Sequence, residues 1–506
     1  MNVEREVKLA VTPAFRLPSL DAGMDGVQAV AQPRLELDAT YYDTDDLTLA
    51  RAGVTLRHRT GEPGPPWTLK LPGASGRDVV ERPELSFPGG SSRIPPAAAD
   101  LIRASVRGRR LIPVARLHTA RDSVEIRASD GTTLAELVDD AVTVWVGRRV
   151  TGRFREIEIE AKAGSAAAAD VLRAVHKRVL RAAGGDARMG KPLPKLVRAL
   201  GPRAARPADV AVLELGAHPT AAELVHNAIA GSVGQLLRRD PLVRLGDDEE
   251  GVHKFRVATR RLRSDLETFA DHLDEAQATS VLGDLRWLGG EVGRLRDKQV
   301  LTSNMKRAIQ ALPIEDQPLA APLLVRLQAE TGEARRSMLV VLRTRRYTRL
   351  LDDLVALCAS SRTPRRRTRG GDPTDSSALK AAARRRWRRL ADTVRDLGPN
   401  PPDAALHAVR IKAKRCRYAV EALVPEAGKD AQRLAGAVSA LQTVLGEHQD
   451  TVVAETWLRE AAISTPAAAL VAGELIAVQR AERARLRAEW PAAWKAASRK
   501  RLRAWM

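Results

Sequence analysis

Cysteines, aromatic residues and long apolar runs are scarce in this sequence. Only Cys358 and Cys416 occur among its 506 residues, which excludes a fold held together by several disulfides. Aromatic residues make up 3% of the chain and hydrophobic residues 44%, so alanine, valine and leucine must supply most of the buried surface. No run of about 18 uninterrupted apolar residues is present, and the charged start lacks an apolar signal core. We therefore expect a cytoplasmic protein that does not enter a membrane.

The sequence also lacks the short motifs of several enzyme classes. It contains no GxxxxGK[ST] segment, which argues against a P-loop nucleotide hydrolase. The two cysteines lack CxxC spacing, which removes the usual zinc and redox sites. Positive charge, in contrast, is abundant: 83 Lys and Arg residues against 62 Asp and Glu residues give a net charge of +21. An excess of this size predicts a polyanionic partner.

The texture of the chain changes near residue 200. The first part shows alternating apolar and polar residues with turn clusters, which indicate strands, whereas the second part places apolar residues three and four apart, which indicates helices. The first part holds 31 basic and 25 acidic residues, and the second holds 52 and 37. We predict an α+β protein whose second domain is all-α. The predicted boundaries are 1–200 for the first domain, 201–209 for a linker, 210–506 for the second domain, about 210–355 and 379–506 for its two repeats, and 360–378 for an exposed loop.

Charged residues of both signs alternate with apolar ones along the predicted strands. Glu4, Glu6 and Lys8 share one face of a strand, because successive side chains point to opposite sides. Residues 155–160 place three carboxylates opposite two isoleucines in the same way. One interpretation is a solvated strand face. However, three adjacent carboxylates repel one another unless a cation lies among them, and carboxylates for Mg²⁺ beside Arg and Lys for phosphate oxygens would form a metal–polyphosphate site.

A series of short charged motifs occupies the first 195 residues. In order, they are Glu4-Arg5-Glu6-Val7-Lys8 of ExExK form, Tyr42-Asp43-Thr44, Leu56-Arg57-His58-Arg59, Thr68-Leu69-Lys70, Arg82-Pro83-Glu84, Arg116 with Arg121, Glu136 to Asp140, and Glu156-Ile157-Glu158-Ile159-Glu160. This ordered set resembles the CYTH family, the triphosphate tunnel metalloenzymes. The resemblance implies an eight-stranded antiparallel β-barrel with flanking helices, whose lumen binds a triphosphate and one or two divalent ions.

The resemblance also implies roles for individual residues. The implied metal ligands are Glu4, Glu6, Asp140, Glu158 and Glu160, and the implied phosphate contacts are Lys8, Arg57, Arg59, Lys70, Arg82, Arg116, Arg121, Lys191 and Lys195. Asp139 stays an alternative to Asp140, because a shift of one residue along the strand would exchange them. Glu4, Glu6, Lys8, Glu158 and Glu160 would form a catalytic centre in which Mg²⁺ or Mn²⁺ activates water for triphosphate hydrolysis.

The helical half contains an internal repeat. Residues 252–263 align with residues 406–417 at an offset of 154, and residues 293–297 align with residues 446–450 at an offset of 153. Each repeated helix combines an apolar stripe with a basic one. The predicted core positions are Val252, Phe255, Thr259, Leu262, Leu266 and Phe269 in the first helix, and Leu406, Val409, Ala413, Cys416, Val420 and Leu423 in the second. The predicted polyphosphate-binding residues are His253, Arg256, Arg260, Arg263, His407, Arg410, Lys414 and Arg417.

These two helices resemble the CHAD domain, which implies binding of inorganic polyphosphate on a basic surface without catalysis. The combined prediction is a metal-dependent hydrolase of inorganic triphosphate whose helical domain binds polyphosphate, with association with polyphosphate granules as a corollary. One alternative is a non-catalytic polyphosphate-binding scaffold. Another is a CYTH enzyme that acts on thiamine triphosphate or cyclises ATP. Nucleic acid is a weaker candidate partner for the helical half, and a plain solvated basic face is the simplest interpretation of its stripes.

Overall fold

The chain folds into two compact units, Met1–Asp209 and Val210–Met506. A computed structural model describes residues 2–21, 24, 26–73, 80–162, 165–184, 194–246, 249–360, 377–464 and 468–506, except for the side chains of 2–6, 80–82 and 464. Among the described residues, none of the helices combines the length and the apolar content needed to span a lipid bilayer.

Antiparallel strands form the first unit. They are β1 (Asn2–Val11), β2 (Val27–Ala31), β3 (Leu35–Asp43), β4 (Thr55–Thr60), β5 (Trp67–Lys70), β6 (Val80–Phe87), β7 (Ile112–Ala128), β8 (Thr133–Val146) and β9 (Arg149–Ala161). Eight of them close a ring in the order β7-β3-β4-β5-β6-β1-β9-β8, because β8 pairs back with β7. The remaining strand, β2, pairs only with the end of β7 that extends beyond β3. The predicted eight-stranded antiparallel barrel is confirmed, with one additional strand at its edge.

Short helices flank the ring: α1 (Thr48–Arg51), α2 (Pro96–Leu101), α3 (Arg103–Val106), α4 (Ala166–Ala183) and α5 (Lys195–Leu200). The longest, α4, begins at a cap in which the Ser165 hydroxyl accepts a hydrogen bond from the backbone N–H of Ala168. Its apolar face packs with Ile157 and Ile159 of β9 in one core. Each buried isoleucine contributes on the order of 2 kcal/mol. Because strand side chains alternate, this packing directs the three glutamates of β9 to the inside of the ring.

Residues 201–209, predicted to be a linker, are instead fixed to the first unit. Ala204 is buried in one of its cores. The carboxylate of Asp209 lies 2.6 Å from Arg51 and 3.3 Å from Arg109, and it also contacts Arg107. The linker prediction was wrong here because local composition does not reveal partners that lie more than 90 residues away.

Helices form the second unit: α6 (Ala221–Leu245), α7 (Glu249–Thr268), α8 (Glu275–Gln310), α9 (Ala321–Leu342), α10 (Arg345–Ser360), α11 (Ser377–Arg395), α12 (Asp403–Glu421), α13 (Val424–Ser464, interrupted at Gly428) and α14 (Ala469–Ala497). Helices α6 to α9 pack each against the next, and so do α11 to α14, while α7 also contacts α12. All twelve core positions predicted for α7, α12 and the residues just after them are buried. The all-α duplicated bundle is therefore confirmed.

Candidate functional site

A charged cavity of about 370 Å³ lies inside the ring of strands. Its basic lining residues are Lys8, Arg57, Arg59, Lys70, Arg121, Lys162 and Lys195, and its acidic ones are Glu62, Glu84, Glu136, Glu158 and Glu160. In the described part of its wall, Tyr41 is the one aromatic residue. We call this cavity the tunnel. Its lining of alternating cations and carboxylates suits a ligand of several phosphoryl groups together with a divalent ion.

At one part of the wall, Lys195 holds three carboxylates together. This residue begins α5, and its Nζ lies 2.5 Å from Asp140 Oδ2, 3.1 Å from Glu156 Oε1 and 3.1 Å from Glu158 Oε1. Arg121 of β7 forms a bidentate pair with the Asp140 carboxylate, in which Nε donates to Oδ1 at 2.8 Å and Nη2 donates to Oδ2 at 2.7 Å. Lys8 of β1 donates to Glu158. The three carboxylates come from the paired strands β8 and β9, whereas the cations that hold them together come from β1, β7 and α5.

These neighbours decide the charge of each carboxylate. Burial alone would raise the pKa of Glu158, but Lys195 and Lys8 outweigh it and hold the pKa well below the usual value. The pKa of Asp140 is also lowered, because Lys195 and Arg121 overcome the effect of its burial. Burial raises the pKa of Glu156 despite the nearby Lys195. Asp140 and Glu158 are therefore ionised at neutral pH, whereas Glu156 takes up a proton more readily.

The donor set of the tunnel fits a divalent metal ion. One carboxylate oxygen from each of Asp140, Glu156 and Glu158 lies within 4.8 Å of the other two, and hard cations bind such oxygen ligands. In addition, Lys162 Nζ lies 2.8 Å from Glu136 and 2.7 Å from Glu160, which are register partners on β8 and β9. At both clusters, a lysine ammonium group lies among converging carboxylates. The wall of the tunnel therefore places several oxygen ligands around one positive charge, as a metal site requires.

Two arginines of β4, Arg57 and Arg59, also line the tunnel. The Nε groups of Arg57 and Arg59 are buried and have no hydrogen-bond partner within the described part of the chain. Burial and the like charge of Arg57 lower the pKa of Arg59 to about 10. On β5, Lys70 Nζ lies 2.9 Å from Glu84. A buried donor without an acceptor is costly, and phosphate oxygens would satisfy both guanidinium groups.

Most of the predicted tunnel residues do line the cavity. They are Lys8, Arg57, Arg59, Lys70, Arg121, Glu158, Glu160 and Lys195. Asp140 is fully buried beside them, whereas Asp139 points the other way and pairs with Arg155 at 2.6 and 2.8 Å. The alternative assignment to Asp139 was therefore wrong.

Arg116 does not belong to the tunnel, contrary to the prediction. Its side chain is 63% exposed and lies 3.0 Å from Asp38 on the outer surface. Arg116 and Arg121 are five residues apart on β7, and an odd separation places two residues on opposite faces of a strand. The remaining predictions fall outside the described residues: Lys191 entirely, and Glu4, Glu6 and Arg82 in their side chains.

The set of site residues predicted from the sequence leaves out several residues that line the tunnel or, like Glu156, belong to the carboxylate cluster around Lys195. Glu156 and Glu84 could have been found, because each is two residues from a predicted member of its strand, Glu158 and Arg82 respectively. Lys162 follows Glu160 by the same step, just beyond the end of β9. Glu62 lies in the turn after β4, where alternation no longer indicates direction, so no signal in the sequence marked it.

In the second unit, four cations converge between the repeated helices. Arg256 and Arg260 come from α7, and Arg410 and Lys414 come from α12. We call these four residues the basic cluster. Burial, followed by the charges of the three arginines, lowers the pKa of Lys414 to about 6. The cluster therefore contains more positive charge than its surroundings compensate, which favours an anionic ligand.

Glycines on the neighbouring helices lie close to two arginines of the basic cluster. Arg256 Nη1 donates to the carbonyl oxygen of Gly293 at 2.7 Å and to Asp297 Oδ1 at 2.9 Å. A Cβ added at Gly293 would lie 3.1 Å from Arg256 Nη1, and one at Gly446 would lie 3.4 Å from Arg410 Nε. Gly293 thus lets the Arg256 guanidinium group lie close against α8, whereas a Cβ at Gly446 would be near ordinary contact distance from Arg410.

The other predicted polyphosphate-binding residues have individual environments on the same two helices. Burial and then Arg410 lower the pKa of His407, whose Nδ1 has no partner in the described part of the chain. Burial and nearby arginines likewise lower the pKa of His253, which also lines a separate cavity between α6 and α7. Arg417 donates to Ser439 at 3.1 Å. Arg263 is close to Gly289, where a Cβ would lie 3.7 Å from its Nη1.

The closed ring with its charged lumen and the duplicated bundle with its basic cluster define a tunnel domain followed by a helical domain. A CYTH domain model matches residues 2–187, and a CHAD domain model matches residues 227–459. An uncharacterized protein found in two strains of Mycobacterium tuberculosis is 34% identical over 500 residues, covering 94% of this chain and 90% of that protein. The chain therefore belongs to the family of proteins in which a CYTH domain precedes a CHAD domain.

Two solved structures are similar to parts of the chain. The CHAD domain from the plant Ricinus communis is 26% identical with a TM-score of 0.47, covering 57% of this chain and 95% of that one. A Hippeastrum protein described as having a dominant triphosphatase activity is 15% identical with a TM-score of 0.25, covering 40% of this chain and 98% of that one. Members of the CYTH family are triphosphate tunnel metalloenzymes with triphosphatase or cyclase activity.

Proposed function

We propose that the protein hydrolyses inorganic triphosphate in the tunnel with Mg²⁺ or Mn²⁺, and binds inorganic polyphosphate through the second unit. The observation that carries the first part is the pair of buried Nε donors on Arg57 and Arg59, which lack acceptors and lie in the same cavity as ionised carboxylates. A chain of phosphoryl groups would supply the missing acceptors, and the divalent ion that accompanies it would bind the carboxylates.

In this proposal the residues of the tunnel bind and orient the substrate. Lys8, Arg57 and Arg59 contact phosphoryl oxygens and offset the charge that develops as the phosphoanhydride bond breaks. Further contacts come from Lys70, Arg121 and Lys195. The metal ligands are Glu158 and Glu160 with Asp140, joined by Glu4 and Glu6 of β1, where Glu6 is the register partner of Glu160. When bound, the divalent ion would supply Lewis-acid catalysis and a water molecule of lowered pKa.

The lining favours an inorganic substrate over a nucleotide. Tyr41, the one aromatic residue in the described part of the wall, is only 4% exposed and shares a hydrogen bond with Arg57, so its ring offers little surface for stacking. Base recognition relies on such stacking. We therefore expect tripolyphosphate to be turned over faster than ATP or thiamine triphosphate.

Phosphate release from tripolyphosphate, ATP and thiamine triphosphate with Mg²⁺ and Mn²⁺ tests the tunnel assignment. Arg57→Ala should lower kcat/KM for tripolyphosphate by about 100-fold, as expected for a group that stabilises transition-state charge. The matched control is Arg116→Ala, which removes an exposed arginine of the same barrel and should leave the rate unchanged. Turnover that survives Arg57→Ala would contradict the assignment, and binding of phosphate chains without turnover of any substrate would favour a scaffold.

The second part of the proposal rests on the basic cluster. Arg410→Ala should weaken binding of long-chain polyphosphate by about tenfold, the scale of a lost bidentate guanidinium–phosphate contact. Chelation of divalent metals should leave this binding intact, while added salt should weaken it. Arg433→Ala, which removes an exposed arginine paired only locally with Asp430 among the described residues, is the control. Double-stranded DNA that competes equally at matched salt would instead indicate a general polyanion site.

A further inference from the structure

An acidic residue in a turn reaches into the tunnel from between β4 and β5. Glu62 lines the cavity, and its carboxylate contacts Arg59. Its charge also acts on Arg57 and on Arg121, so it faces three of the arginines assigned to phosphate. A carboxylate in this position contacts the Arg59 guanidinium group, which a phosphoryl oxygen would contact in the proposed complex, and its charge acts on the other two arginines.

The turn itself fixes the direction of Glu62. Gly61 has a φ of +100°, and a Cβ there would lie 2.0 Å from the backbone oxygen of Glu36, so no other residue fits. The turn continues through Pro63, Pro65 and Pro66, whose rings restrict φ, and it closes with the Arg59 N–H donating to the Pro66 oxygen at 2.8 Å. Glu62 is therefore held at the tunnel by a rigid segment.

The contact is not the kind that a barrel needs for its stability. Glu62 and Arg59 are three residues apart, and their side chains are 26% and 16% exposed. The pair joins a strand end to its own turn and connects no distant elements. The negative charge of Glu62 instead reduces the electrostatic repulsion among Arg57, Arg59 and Arg121. A bound phosphate chain would do the same with more negative charge and would then repel Glu62.

We propose that Glu62 is an anionic placeholder, which occupies the arginines of the tunnel in the free protein and is displaced by the substrate. This inference rests on the proposed function. Displacement weakens the binding of every phosphate anion by a similar factor, and this includes the short product pyrophosphate. Glu62 thereby sets the affinity of the tunnel and favours release of product, without taking part in the chemistry.

The test compares Glu62→Gln with wild-type protein in the full chain. The KM for tripolyphosphate and the inhibition constant for pyrophosphate should both fall by about tenfold, the scale of one charge-assisted interaction. The value of kcat should change by less than about threefold, because the proposal gives Glu62 no role in the chemical step. Glu36→Gln is the control, since Glu36 pairs with Arg34 and His118 on the outer surface, and it should change neither constant.

Different outcomes of this test would contradict the placeholder role of Glu62 or the proposed function itself. An unchanged KM and inhibition constant, or a tenfold fall in kcat, would overturn the placeholder role, the latter because it would make Glu62 a catalytic or metal-binding residue. Glu62→Asp, whose shorter side chain reaches Arg59 less well, should give intermediate constants and serves as the second variant. Wild-type protein that neither binds nor hydrolyses tripolyphosphate would instead refute the proposed function, whatever the variants do.

Discussion

Lys195 in the tunnel and Lys414 in the basic cluster are both lysines among charged neighbours, yet their pKa values move in opposite directions. Three carboxylates contact the Lys195 ammonium and raise its pKa above the usual value despite its burial. Burial, followed by the charges of Arg260, Arg410 and Arg256, lowers the pKa of Lys414 to about 6. Burial acts in the same direction on both lysines, so the sign of the neighbouring charges decides the direction of each shift.

This difference separates two ways of binding phosphate. The tunnel pairs most of its cations with its own carboxylates, so a bound anion must exchange existing ion pairs as well as supply acceptors to the Nε groups of Arg57 and Arg59. The basic cluster leaves positive charge uncompensated, so an anion relieves repulsion that is already present. The first arrangement favours selectivity for a ligand that brings its own cation, and the second favours strong but unselective attraction.

Removing the lysine from the tunnel should give the largest effect. Lys195→Met leaves Asp140, Glu156 and Glu158 facing one another, and breaking a buried ion pair in this way costs about 3–5 kcal/mol. We expect the unfolding midpoint of the β-rich unit in urea to fall accordingly and triphosphate turnover to be lost. Lys162→Met is the control, since this lysine is 37% exposed and such pairs contribute about 1 kcal/mol or less. Equal losses in the two variants would contradict the central role of Lys195.

The lysine of the basic cluster should make polyphosphate binding depend on pH. In the free protein Lys414 is mostly neutral above its pKa of about 6, and a bound polyanion raises that pKa. Proton uptake then accompanies binding, so affinity should rise as pH falls from about 8 to 6, by up to about tenfold per unit, and level off below. Calorimetric titrations at constant ionic strength would measure this.

Two variants separate Lys414 from the other groups that face it. Lys414→Arg keeps a permanent charge, and Lys414→Met has none, so both should flatten the pH dependence between 6 and 8. The other charged groups that act on Lys414 are Arg256, Arg260 and Arg410, with Asp450 as the neighbouring carboxylate. A slope that persists in both variants would assign the proton to another group, such as His253 or His407.

The glycines of the two repeats should show the smallest effects. Alanine has a helix propensity about 1 kcal/mol better than glycine, so Gly293→Ala and Gly446→Ala should both stabilise their helices slightly. Only Gly293→Ala, with its 3.1 Å approach to Arg256, should also weaken polyphosphate binding, by about twofold to threefold. Equal binding by both variants would show that Arg256 adapts without loss.

Much of the tunnel was predictable because strand alternation is a local property. The β9 segment places isoleucines and glutamates on opposite faces, and burial of Ile157 and Ile159 under α4 accounts for the direction of Glu158 and Glu160. Alternation also accounts for Arg116, because its separation of five residues from Arg121 places the two side chains on opposite faces of β7. It could not reach Glu62, since a turn has no fixed period.

The sequence by itself determined the two-part organisation, the faces of the strands and the duplication of the helical unit. The strand faces follow from apolar residues at every second position, the helices from a spacing of about 3.6 residues, and the duplication from two similar segments of the chain. Only the tertiary structure decided which charges meet. The cluster of Lys195 joins β8, β9 and α5, and that of Lys414 joins two helices about 150 residues apart. Electrostatic interaction depends on distance and burial in space, and neither is encoded in local spacing.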